Sequence, residues 1–74
     1  MPKLPRLNAK EIIAVLEKLG FSLSRQSGSH KIYKNHKGKR ATVPFYGNNA
    51  LHPKVLKSIL KDAEINAGDL NKLL

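Results

Sequence analysis

Only three side chains of this sequence exchange a proton readily near neutral pH, the histidines at 30, 36 and 52, and no cysteine is present to act as a nucleophile or soft metal ligand. His30 stands apart because it follows Gly28-Ser29 and lies between two short strand-like runs in a lysine-rich chain. Gly28 has the backbone freedom for a tight turn and for close approach to an anion, and the Gly28 and Ser29 N–H groups are able to cradle one. The bland reading of the same triplet is a turn entering a strand.

Fourteen Lys and Arg against five Asp and Glu give a net charge of +9 and a pI near 10.2. Such an excess concentrates polyanions at the surface, nucleic acid first and an anionic membrane second. The pairing of His30 with cations suits one reaction well. RNA carries its own nucleophile, the 2′-OH beside each phosphate. A protein need only take that proton, protonate the leaving 5′-oxygen and neutralise the charge building on phosphorus. His30 is therefore the candidate catalytic acid/base. Arg25, Gly28, Ser29, Lys31, Lys34 and Arg40 are the candidate RNA contacts around it, with Lys37 and Lys39 in the same basic cluster.

A second basic row, Lys54, Lys57 and Lys61, recurs at i, i+3 and i+7 and so shares one helix face. It suits a phosphate backbone, contributing affinity without reading sequence, and equally suits an ordinary solvated face. Metal chemistry is disfavoured: His30 and His36, six positions apart, lie about 20 Å from one another on an extended strand. His52 is in a separate loop and the carboxylates are scattered, so neither a metal nor a small-molecule cofactor is expected.

Seventy-four residues, 41% of them apolar, read as one domain over 1–74 with a thin core and little volume for a deep pocket. The absence of cysteine, of a signal peptide's apolar core and of any membrane-length apolar stretch leads us to expect a cytoplasmic protein with no membrane partner. Residues 1–7 form a proline-containing lead-in. Asn8 with Glu11 is a capping-box start, and Ile12, Leu16 and Leu19 make the apolar stripe of a helix stopped by Gly20.

From Phe21 to Gln26 the pattern alternates with period two, which predicts Phe21, Leu23 and Arg25 on one face. Ser27-Gly28 is a turn, Ser29 to Lys34 a strand, Asn35-His36-Lys37-Gly38 a hairpin turn, and Lys39 to Phe45 a third strand. That last strand should show Ala41, Val43 and Phe45 on one face, and it either lies near a sheet edge or ends at Pro44, which cannot donate to a ladder. Tyr46 to Asn49 is a loop, and Pro53 opens a second helix with Val55, Leu56, Ile59, Leu60 and Ala63 apolar. Residues 66–74 form a short C-terminal helix or tail. The expected fold is α+β, α-β-β-β-α, with a three-stranded antiparallel sheet and two helices on one face.

Taken together, Leu19-Gly20-Phe21, Arg25-Gln26-Ser27-Gly28-Ser29-His30, Thr42-Val43-Pro44 and Leu56-Lys57-Ser58-Ile59-Leu60-Lys61 make the chain resemble the HicA (YcfA-like) toxins, small mRNA interferases of toxin–antitoxin pairs. The resemblance implies a double-stranded RNA-binding-like sandwich, mRNA cleavage with His30 as the catalytic residue, and a HicB-type antitoxin partner that occludes the site. Three positions depart from the family pattern: Tyr46 stands where a histidine is common, Pro53-Lys54 where Gly-Thr often opens the second helix, and Glu64 where a glycine usually stops it.

Two alternatives compete with the ribonuclease. A non-catalytic RNA-binding module would use the basic sheet and the Lys54/Lys57/Lys61 row for affinity alone. A protein-interaction module would use the same charge to meet an acidic partner. Which face His30 occupies turns on the strand register. If Ile32 faces the helices, His30 joins it near the helix–sheet seam; if Tyr33 does, His30 lies on the open side.

Overall fold

The computed structural model describes residues 5–45 and 49–74. Its elements run α1 (Ala9–Lys18), β1 (Ser22–Ser27), β2 (His30–Lys34), β3 (Arg40–Pro44), α2 (Pro53–Ala63) and α3 (Ala67–Leu73). This is the expected α+β arrangement, with the three strands in one antiparallel sheet of order β1-β2-β3. The Tyr46-Gly47-Asn48 part of the expected loop lies outside the described residues.

Both ends of α1 are closed as its residues dictate. Asn8 Oδ1 accepts from the Glu11 N–H at 2.9 Å, and Glu11 Oε1 accepts from the Asn8 N–H at 3.0 Å, so two orphan donors are satisfied reciprocally. At the other end Gly20 takes φ 92°. The Phe21 N–H then donates to Leu16 O and the Gly20 N–H to Glu17 O, which is a Schellman closure. Helix α2 ends with the same two bonds, Ile65 N–H to Leu60 O and Glu64 N–H to Lys61 O, but a glutamate holds the left-handed position at φ 59° and ψ 40°.

The core lies between sheet and helices. Ile12, Val15 and Leu16 of α1, Leu56, Ile59 and Leu60 of α2, and Leu70 of α3 close over Phe21, Tyr33, Ala41 and Val43. The lead-in is tied down where it is described: Leu7 is buried, and its carbonyl accepts from the Leu51 N–H at 2.7 Å. That bond, with the Asn8–Ala50 bridge, holds the starts of α1 and α2 side by side.

The register differs from expectation in β1. Leu23 pairs with Tyr33 but Arg25 pairs with Ile32, leaving Ser24 as an unpaired bulge residue. One extra residue flips every later side chain, so Arg25 leaves the face shared by Phe21 and Leu23. Leu23 remains on the inner set, yet on an edge strand it is 49% exposed. Expectation held for β3, where Ala41 and Val43 are fully buried, Phe45 packs against the core, and the strand ends at Pro44 on a sheet edge.

Candidate functional site

The site is built by a two-residue hairpin. Gly28 and Ser29 connect Ser27 to its cross-strand partner His30. Gly28 has φ 57° while Ser29 stays at negative φ, the signature of a type II′ turn that matches strand twist. Two contacts hold the turn in place: Gln26 Nε2 donates to Gly28 O at 3.3 Å, and the Phe45 N–H donates to Ser29 O. His30 thus opens the central strand, between Ser27 on β1 and Pro44 on β3.

Directly paired residues of an antiparallel sheet share a face, and successive residues alternate. Tyr33 pairs with Ala41 and Lys31 with Val43, and Tyr33, Ala41 and Val43 are buried, so that set faces the helices. His30, Ile32 and Lys34 therefore face outward, joined by Arg25, Thr42 and Arg40 through their pairings. The open face reads as three cross-strand rows: Ser27–His30–Pro44, Arg25–Ile32–Thr42 and Ser22–Lys34–Arg40. His30, Arg25, Lys34, Arg40 and Thr42 are exposed and Ile32 is half-buried. Arg25 is the diagonal neighbour of His30 on the adjoining strand, about 7–8 Å away between α-carbons.

The charge on this face is undiluted. No Asp or Glu occurs between Glu17 and Asp62, so the strands carry cations alone and the carboxylates all belong to the helical segments. The ion pair found among the described residues, Lys39 to Glu64, lies at the end of α2 on the helix side.

Not every expected contact gathers around His30. Lys31 belongs to the inner set, and its ammonium sits 4.3 Å from the centroid of the Phe45 ring, a cation–π contact at the rim of the core. Lys54, Lys57 and Lys61 are exposed on the side of α2 opposite its buried Leu56, Ile59, Leu60 and Ala63. Since that buried stripe faces the sheet, the lysine row and His30 lie on opposite sides of the molecule. The structure joins Arg25, Lys34 and Arg40 to the face of His30 and separates Lys31 and the α2 row from it. Gly28 and Ser29 form the turn that presents it.

Ile32 and Thr42 form the floor between these cations, and sequence reasoning gave neither a role. The signal was present in the alternation of Thr42-Val43-Pro44, where a buried valine obliges its neighbours to face out. His52 also has a place that the sequence concealed. It is the N-cap of α2, its Nδ1 accepting from the Lys54 N–H at 3.1 Å. Among the described residues no three His, Asp or Glu side chains come together to hold a metal ion, and no helix is long and apolar enough to cross a membrane. A groove of about 290 Å³ lined by Pro5, Arg6, Leu51, His52 and Leu56 lies at the helix starts and includes no residue of the open sheet face.

Among the described residues Tyr33 carries the one marked acid–base perturbation. Burial raises the phenol above its ordinary value, and the Glu17 carboxylate adds to the effect.

No curated protein matches the chain. A family model described as the HicA toxin of bacterial toxin–antitoxin matches residues 9–65. That span begins at the first residue of α1, takes in the whole sheet and His30, and ends two residues past α2. Covering well over half of the sequence and every element that builds the open face, it shows that the chain belongs to the HicA toxin family.

Proposed function

We propose that this toxin is an endoribonuclease acting on mRNA with His30 as its acid/base residue, and that a HicB-type antitoxin restrains it by covering the open sheet face. Neutral His30 takes the proton of a ribose 2′-OH, the 2′-oxygen bonds to the adjacent phosphorus, and the bond from phosphorus to the 5′-oxygen breaks. The proton returns to that 5′-oxygen, from the imidazolium or through water, leaving a cyclic phosphate and a free 5′-hydroxyl. Arg25, the nearest cation on the same face, neutralises the charge that builds on phosphorus and, being always protonated, takes no part in proton transfer. The step needs no metal ligand, because substrate supplies the nucleophile and arginine the counter-charge.

The observation that carries this reading is the exposure of His30 beside Arg25 on a sheet face without a carboxylate. Incubating purified protein with an mRNA transcript tests it. The parent should fragment the RNA and His30→Ala should fall by about 10²–10⁴-fold, with an unchanged circular dichroism spectrum. A His30→Ala protein as active as the parent would sink the assignment.

A further inference from the structure

The rows of the open face extend past His30, and their order says how a substrate lies. We infer that the face is a track for single-stranded RNA running along β2, in which Ile32 and Thr42 seat the base next to the scissile phosphate while Lys34 and Arg40 hold a phosphate further along the strand; this rests on the ribonuclease reading above. Same-face rows are two residues apart, about 6.6–6.8 Å, so His30 and Lys34 are separated by about 13 Å along the strand. That places one apolar-centred row between the proposed reaction centre and a pair of cations.

The middle row has the chemistry of a base seat. Half-buried Ile32 offers an apolar floor for a base face. The Thr42 hydroxyl donates or accepts at a base edge. Among the described residues Tyr33 is turned into the core and adds no ring to this face, so this row is where preference would arise.

Width decides against a duplex. Three strands span only about 10 Å across, and a duplex would hide from Ile32 the base faces it is placed to meet. The α2 lysines, on the far side, lie off the track; Asp62 and Glu64 follow them directly in sequence, whereas the open face has no acid.

The test compares Lys34→Ala/Arg40→Ala, Thr42→Val, Ile32→Val and Lys54→Ala/Lys57→Ala/Lys61→Ala, each checked for folding by thermal melt. Cleavage of labelled single-stranded oligonucleotides of varied sequence is measured as kcat/KM. Binding of the same oligonucleotides, and of their duplexes, is read by fluorescence anisotropy in the His30→Ala background. Lys34→Ala/Arg40→Ala should weaken binding by roughly tenfold per cation and flatten the salt slope by about 1.4. Thr42→Val and Ile32→Val should change which oligonucleotide is preferred. The α2 triple variant should change both readouts by less than threefold, and duplexes should bind at least tenfold more weakly than single strands. Larger losses from the α2 variant than from the sheet variant, an unaltered preference, or equal duplex binding would overturn the track. If the parent binds RNA but never cleaves it, the ribonuclease reading fails and the binding arms still decide the track; if it binds none, both fall.

Discussion

Thr42 and Val43 are neighbours in one strand, yet one is exposed and the other has no solvent exposure at all. The contrast holds across the sheet. On the inner face Tyr33, Ala41 and Val43 are sealed by α1 and α2, and the one charged residue there, Lys31, is folded over Phe45 at the rim. On the outer face His30, Arg25, Lys34 and Arg40 stand in solvent around Ile32 and Thr42. Period-two alternation lets one set of strands separate the two tasks, so inner residues hold the fold and outer ones are free to be chosen for charge and proton transfer. The candidate site lies on the back of the same sheet whose front carries the core.

The sharpest way to break that division is to exchange the consequences. His30→Ala should leave the midpoint of thermal unfolding within a few degrees of the parent while RNA cleavage falls by about 10²–10⁴-fold. A large loss of stability would mean that His30 belongs to the packing of the hairpin rather than to a site. The inner face should answer in the opposite sense. Val43→Ala removes two buried carbons and leaves a void, a cost of about 2 kcal/mol, or roughly 8–16 °C in midpoint. Activity per folded molecule, measured well below that midpoint, should be retained. If cleavage is lost while the protein remains folded, the two faces are coupled and the division fails.

Smaller effects refine the helix side. Glu64 occupies a left-handed conformation that costs a side-chain-bearing residue about 1–2 kcal/mol, and glycine there returns part of this as unfolded-state entropy. Its ion pair with Lys39 is solvent-exposed and worth little. Glu64→Gly should therefore stabilise by about 0.5 kcal/mol, seen as a rise of a few degrees in the midpoint. A fall would show that the Lys39 pair outweighs the backbone strain.

The smallest expected effect concerns pH. Because the Tyr33 phenol is raised in the folded state, the unfolded chain loses that proton first as pH climbs. The Tyr33 contribution to stability is constant below about pH 10, the ordinary tyrosine value, and becomes unfavourable above it. Tyr33→Phe should remove part of that alkaline decline in urea unfolding series, and an identical decline in both proteins would refute the attribution.

Much of this architecture was legible one residue at a time. The Asn8/Glu11 capping box, the Gly20 stop, Pro53 at the start of α2, the glycine turns and the apolar stripes of both long helices are local features. Each is set by hydrogen bonds and sterics within a few residues, so the linear order contains them. The same holds for the composition that points to a polyanion and for the motifs that mark the family.

The direction of His30 was of another kind. In His30-Lys31-Ile32-Tyr33-Lys34 each alternating set contains one large apolar residue, Ile32 or Tyr33, so the pattern fits either face. The choice is made by β3, where Ala41 and Val43 are unambiguous and their register carries Tyr33 and Lys31 inward with them. The bulge at Ser24 was equally hidden, since an unpaired residue is defined only by its partner strand. It is the bulge that turns Arg25 outward toward His30, and the packing of α2 on the sheet that carries Lys54 and Lys57 away. The sequence alone determined the elements and singled out His30 as the candidate for chemistry. Only tertiary pairing decided which cations stand beside it, because the face of a side chain depends on register with strands distant along the chain.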